Sequence, residues 1–210
     1  MQPFLSPPGQ RIRALFRLLM AGALLSGLLW IGSPATVRAE GGDYGDGLNC
    51  AADQPKAYVS GSGQITNGFR ALSAGGKVSY QFNSNSAIAT GIVGDWSVQF
   101  TNVTSSPSLN GAVFNATSFT NLKFCTDEGS TAFNAATFTA EGTLNGVSGY
   151  SIQVQIIDRG EPGTNDSLQL RLSQGPTVLY ASKAADFPIP QNKLSSGNYQ
   201  IHESAKTSKP

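Results

Sequence analysis

The chain has 210 residues, 14 Lys and Arg, 13 Asp and Glu, one His and two Cys, and 40% of it is hydrophobic. The near-balanced charge leaves no electrostatic footprint for nucleic acid. One histidine and two cysteines fall short of the four ligands of a structural zinc site.

The N-terminus opens MQPFLSPPGQRIRALFR, with three arginines and no acid, followed by LLMAGALLSGLLWIG and then SPATVRAE. This order of basic region, apolar core and small-residue boundary reads as a signal peptide over residues 1–39, with Val37 and Ala39 at the small positions and cleavage before Glu40. The alternative, a membrane anchor, is short of length: about 15 apolar or small positions against the roughly 20 of a spanning helix. Cleavage removes Arg11, Arg13, Arg17 and Arg38 and no acid, leaving 10 bases against 13 acids and a net charge near −3. The expected product is secreted to the periplasm, the medium or the cell surface, without membrane or nucleic-acid attachment. Its length suits one domain with a sizeable core. In an oxidising compartment Cys50 and Cys125 are expected to form one structural disulfide. Closing a loop of roughly 75 residues would stabilise by about 4–5 kcal/mol in the chain-entropy model. Two free thiols or a metal pair is the alternative.

Residues 40–57, EGGDYGDGLNCAADQPKA, read as an irregular lead-in held by Cys50. A β-domain is expected over 58–203, and a disordered tail over 204–210. From Val59 onward the pattern is period-two alternation, the mark of half-buried strands. Gly63–Ile65 comes first, then KVSYQF, which puts Val78, Tyr80 and Phe82 on one face. Ala87–Val93 follows, and DWSVQFT does the same with Trp96, Val98 and Phe100. Ser118–Phe124 and Ala136–Leu144 precede YSIQVQII, where Tyr150, Ile152, Val154 and Ile156 oppose Ser151, Gln153 and Gln155. Leu168–Leu172, Val178–Ala181 and Tyr199–His202 complete the series. About ten short strands without helical periodicity predict an all-β domain, a single antiparallel sandwich or barrel. The five-residue spacing of Phe114, Phe119 and Phe124, and of Phe133 and Phe138, imitates a pentapeptide solenoid. Its register breaks between Phe124 and Phe133, so ordinary strands explain the rings.

GSGQI (61–65), GKVSYQF (76–82), FTAEGTLNGVSGYSIQVQIIDRGEPGTNDSLQLRL (138–172) and SGNYQIH (196–202) occur in an order that resembles a family of exported bacterial all-β domains. In that family a strand ending in aspartate leads into a "GEPG" loop, an aspartate and another strand, and the domain closes on "GNIQIH". The resemblance covers most of residues 59–203 and implies fold and export, with no activity attached. The stretch ASKAADFPIPQNKLSS (181–196) is longer than the family's hairpin there.

The loop in IIDRGEPGTNDSLQLRL (156–172) gathers Asp158, Glu161, Asn165 and Asp166. Glu161-Pro162-Gly163-Thr164 predicts a type II turn, with Pro162 pre-set in φ and Gly163 at positive φ. The acids would then cap loop N–H groups, and Asp166→Asn is expected to be nearly silent. The sharper alternative is a Ca²⁺ site with Asp158, Glu161 and Asp166 as oxygen ligands; no resident metal or cofactor is expected. GGDYGDGL (41–48) is a single, imperfect copy of a calcium-binding nonapeptide and reads as a flexible N-terminus. Catalysis finds no assembled set. His202 is the one candidate base, no G-x-S-x-G elbow occurs, and the adjacent Asp127 and Glu128 would point to opposite faces of a strand. Trp96 alternates with Val98 and Phe100 and is expected in the core rather than as a sugar platform. The acceptor patterns at Asn102, Asn115 and Asn165 carry no meaning in the bacterial context that the resemblance implies. The expected function is an exported or cell-surface structural or binding module, not an enzyme; its specific role and partners are not identified by the sequence, and cell-surface or matrix components are the candidates. A hydrolase of extracellular polysaccharide or ester is the alternative.

Overall fold

The computed structural model describes residues 48–51, 55–67, 70–84, 86, 88–127, 129–182 and 192–203. The expected signal peptide 1–39, the lead-in up to residue 47 and its Gly-Asp run, Glu128 and the tail 204–210 lie outside the described residues.

Ten strands lie within them: β1 (Asn49–Cys50), β2 (Ala57–Asn67), β3 (Arg70–Phe82), β4 (Ala89–Val103), β5 (Val113–Thr126), β6 (Ala135–Leu144), β7 (Val147–Ile157), β8 (Ser167–Gln174), β9 (Thr177–Ala181) and β10 (Ser196–Glu203). They pair antiparallel in one sheet of order β10-β2-β3-β4-β5-β6-β7-β8-β9, with β1 on β5. The all-β antiparallel expectation therefore holds, while "short" is corrected: β3, β4 and β5 run 13, 15 and 14 residues. The two runs expected on either side of Gly94 are one strand. Gly94 passes so close to β3 that a Cβ there would lie 2.1 Å from the Lys77 carbonyl oxygen, so it continues the strand instead of breaking it.

The sheet curls until its two halves face each other across the core. β4 and β5 share only three residue pairs, Ser97–Gln99 against Val113–Asn115, and there the sheet turns. Strands far apart in the order then meet inside. Trp96 on β4 packs edge-on to Phe138 on β6 and stacks with Tyr199 on β10, and Phe100 meets Tyr180 on β9. The fold thus joins the two expected alternatives, with the packing of a sandwich and the continuity of a barrel wall.

Phe114, Phe119 and Phe124 show how the chain keeps its rings inward. An odd spacing of five flips faces on a regular strand. β5 carries register shifts between Ala116 and Ser118 and between Thr120 and Lys123, and each bulge restores the parity. Phe114 and Phe124 are fully buried, and Phe119 packs against the core beside Phe138.

A glycine crease crosses β2 and β3. Gly61 and Gly76 pair with each other at φ 132° and 150°. A Cβ on either would lie 2.2 Å from the Asn198 carbonyl oxygen or 2.0 Å from that of Asp95. Only glycine lets the neighbouring strands approach so closely. At the N-terminal edge, Cys50 and Cys125 are register partners with sulfurs 2.09 Å apart, a bonding distance.

Candidate functional site

The acid loop lies between β7 and β8 and faces β10. Asp158 accepts from the Gly160 N–H (2.9 Å) and, on its other oxygen, from the Ile201 N–H (3.1 Å). Asp166, fully buried, accepts from the Arg159 N–H (2.8 Å) and from the Tyr199 N–H (2.9 Å). Glu161 accepts from the side-chain amides of Asn198 (2.7 Å) and Gln200 (2.9 Å). β10 uses one edge for its ladder with β2. Its other edge presents the N–H groups of Tyr199 and Ile201, which the carboxylates take in place of a neighbouring strand. Just ahead of β10, the Leu194 N–H donates to the Asp166 carbonyl (3.0 Å) and Lys193 bridges Ser167. The loop closes the curl. The GEPG loop and the closing SGNYQIH touch here.

Two expectations for this loop are corrected. The turn is not type II: the Glu161–Pro162 bond is cis, Gly163 opens a single 3-10 turn, Gly163–Asn165, and the glycine at positive φ is Gly160. Gly163 is needed for closeness, since a Cβ would lie 2.4 Å from Asn198 Oδ1 and 2.7 Å from its Cα. Asp166 does accept from a loop N–H, that of Arg159, as a cap should, but it is buried and its second oxygen takes the Tyr199 N–H, which removes the ground for a silent Asp166→Asn. Burial pushes the Asp166 carboxyl above the usual carboxylate range. The Tyr199 and Arg159 N–H groups pull it back, and nearby Asp158 and Glu161 raise it again. The three residues considered as calcium ligands are thus brought together as a clamp on β10. Among the described residues no three acids, histidines or cysteines converge as a metal set.

The outer face of the sheet, away from the core, carries a different surface. In one row Asn198, Ser62, Gly75, Ser97 and Asn115 are successive register partners across β10, β2, β3, β4 and β5. In the next row the partners are Ser196, Gln64, Ser73, Gln99 and Val113. Most of them line an open trough of about 620 Å³, and no residue lining it is charged. Ser196 Oγ donates to Gln64 Oε1 at 3.0 Å, which fixes that amide. Among the described residues, the side chains of Ser73, Ser97, Gln99 and Asn115 have no hydrogen-bond partner within the chain.

Farther along the same face, Tyr58 on β2 stacks on His202 of β10 with ring centroids 4.4 Å apart, and Lys77 Nζ sits 4.1 Å over the Tyr58 ring. The catalytic candidates are dispersed. His202 lies in that stack, and Asp127 pairs with Arg159 at 3.1 Å at the surface. Trp96 is core, 3% exposed, as its alternation implies. The trough escaped the sequence reading because its residues come from five strands. Its one local signal is the outward polar series Ser62, Gln64 and Ser97, Gln99.

No family model, curated protein or solved structure matches the chain. Among the described residues no helix is long and apolar enough to cross a membrane.

Proposed function

We propose that this chain is an exported or cell-surface β-domain that serves as a binding module without catalysing a reaction, and that it meets its partner at the trough. The observation that carries this reading is an uncharged, open trough whose hydroxyl and amide side chains include four with no partner among the described residues. Such groups are satisfied by water or by a ligand that replaces it. Export is supported by the basic, apolar and small-residue order of the N-terminus and by a cysteine pair at bonding distance. Membership of the exported bacterial family rests on the motif order. A hydrolase draws less support, because the clustered carboxylates of the β7–β8 loop, Asp158, Glu161 and Asp166, hold β10 and His202 lies against Tyr58.

The test is retention of labelled protein on cell-surface and matrix fractions. Ser97→Trp fills the trough from an exposed position and should abolish retention while leaving the melting temperature in place. Retention indifferent to Ser97→Trp refutes the trough as the binding face. Turnover in a panel of chromogenic glycosides and esters, abolished by changing one carboxylate or His202, would put the hydrolase in its place.

A further inference from the structure

We infer that the trough takes a neutral, extended glycan chain laid across the strands. This rests on the reading of the trough as the binding face and names its ligand class. The lining carries no Lys, Arg, Asp or Glu; Lys77 and Asp95 face each other one row away. An anionic polymer would need cations in the lining, and a lipid or apolar peptide would need hydrophobic walls. Here the only side chains larger than a methyl group without a polar atom belong to Val113. What remains is hydroxyls and carboxamides, groups that donate and accept at once. Sugar hydroxyls have the same dual character, so each contact can form in either direction.

Spacing points the same way. Neighbouring strands lie ~4.8 Å apart, so the row offers a polar contact at that interval from Ser196 to Gln99, over roughly 14 Å, and Val113 extends it by one strand to roughly 19 Å. That interval is close to the advance per residue of an extended β-1,4-linked chain. Serines and Gly75 supply short side chains or none along the lining, and Gln64, Gln99 and Asn115 supply its carboxamides. Gln64 is already oriented by Ser196, which reduces the ordering cost on binding.

The experiment is calorimetric or NMR titration of the purified protein with neutral β-1,4-linked oligosaccharides, disaccharide to hexasaccharide, beside an oligogalacturonate of matched length. Affinity for the neutral series should rise with each residue and level off at about four, the number that spans the row. The anionic series should bind no better, and added salt should leave the neutral affinity unchanged. Gln99→Ala and Asn115→Ala should each weaken binding about three- to tenfold, the loss of one hydrogen bond, at unchanged melting temperature. Absence of neutral binding, tighter anionic binding, or affinity unaffected by Ser97→Trp overturns the glycan. If Ser97→Trp still abolishes surface retention in that case, the binding face stands and only its ligand class is wrong; if retention also persists, both fall.

Discussion

Asp166 has no exposed surface and two backbone donors. Asparagine there keeps the shape but turns an NH₂ toward either the Arg159 or the Tyr199 N–H. One buried donor then loses its acceptor, so Asp166→Asn should destabilise by about 1–3 kcal/mol, read as a fall in melting temperature. The same residue has a pH signature. Because burial raises its folded pKa, the folded chain holds that proton more tightly than the unfolded chain. Its contribution to stability is fully present below the ordinary carboxylate pKa and is lost as pH rises through the raised value. The gap in melting temperature between wild type and Asp166→Asn should therefore narrow from acid to neutral pH; a gap independent of pH would contradict the assignment. Gly163 makes its own prediction. Its missing Cβ is the space that Asn198 fills, so Gly163→Ala should cost about 1–3 kcal/mol by overpacking, as a lower denaturation midpoint at unchanged slope.

Elements with a core face were legible and those defined by their partners were not. β7 reads directly from YSIQVQII because Ile152, Val154 and Ile156 are buried while Ser151 and Gln153 are not, although Gln155, expected on the outward face, is buried as well. Only Gly63–Ile65 of β2 was visible, since glycines and serines fill both its faces around the crease. Pro162-Gly163 suits several turns, and the one adopted is chosen by Asn198 on β10, 35 positions onward. Likewise the contacts from Asp166 to Tyr199 and from Asp158 to Ile201 span 33 and 43 residues, and backbone donors leave no side-chain pattern to read. The cysteine pair was legible from its number and from the export that the N-terminal sequence leads one to expect. Replacing both cysteines by serine should cost about 4–5 kcal/mol on the chain-entropy estimate for the closed loop. Thermal melts of that variant and of the reduced wild type should fall together.

At the scale of the molecule the curl is closed by two unlike seams, a ladder of three residue pairs between β4 and β5 and a row of carboxylates along β10. β2 and β10 run antiparallel with Ala57 opposite Glu203, so the first long strand begins beside the end of the last, while β1 ahead of it lies on β5. The disulfide changes what happens when those ends are pulled. Tension entering through the lead-in reaches Cys50 and crosses directly to Cys125, 75 residues farther on. β2, β3, β4 and nearly all of β5 lie inside that sealed loop and outside the path of the force. Single-molecule stretching of the oxidised protein should release a contour length shorter than that of the reduced protein by about 250 Å, the extended length of the loop. All but two of the residues lining the trough, Ser196 and Gly197, are in the shielded segment. Force applied at the chain ends would thus leave those strands inside a closed covalent loop rather than draw them out into an open thread.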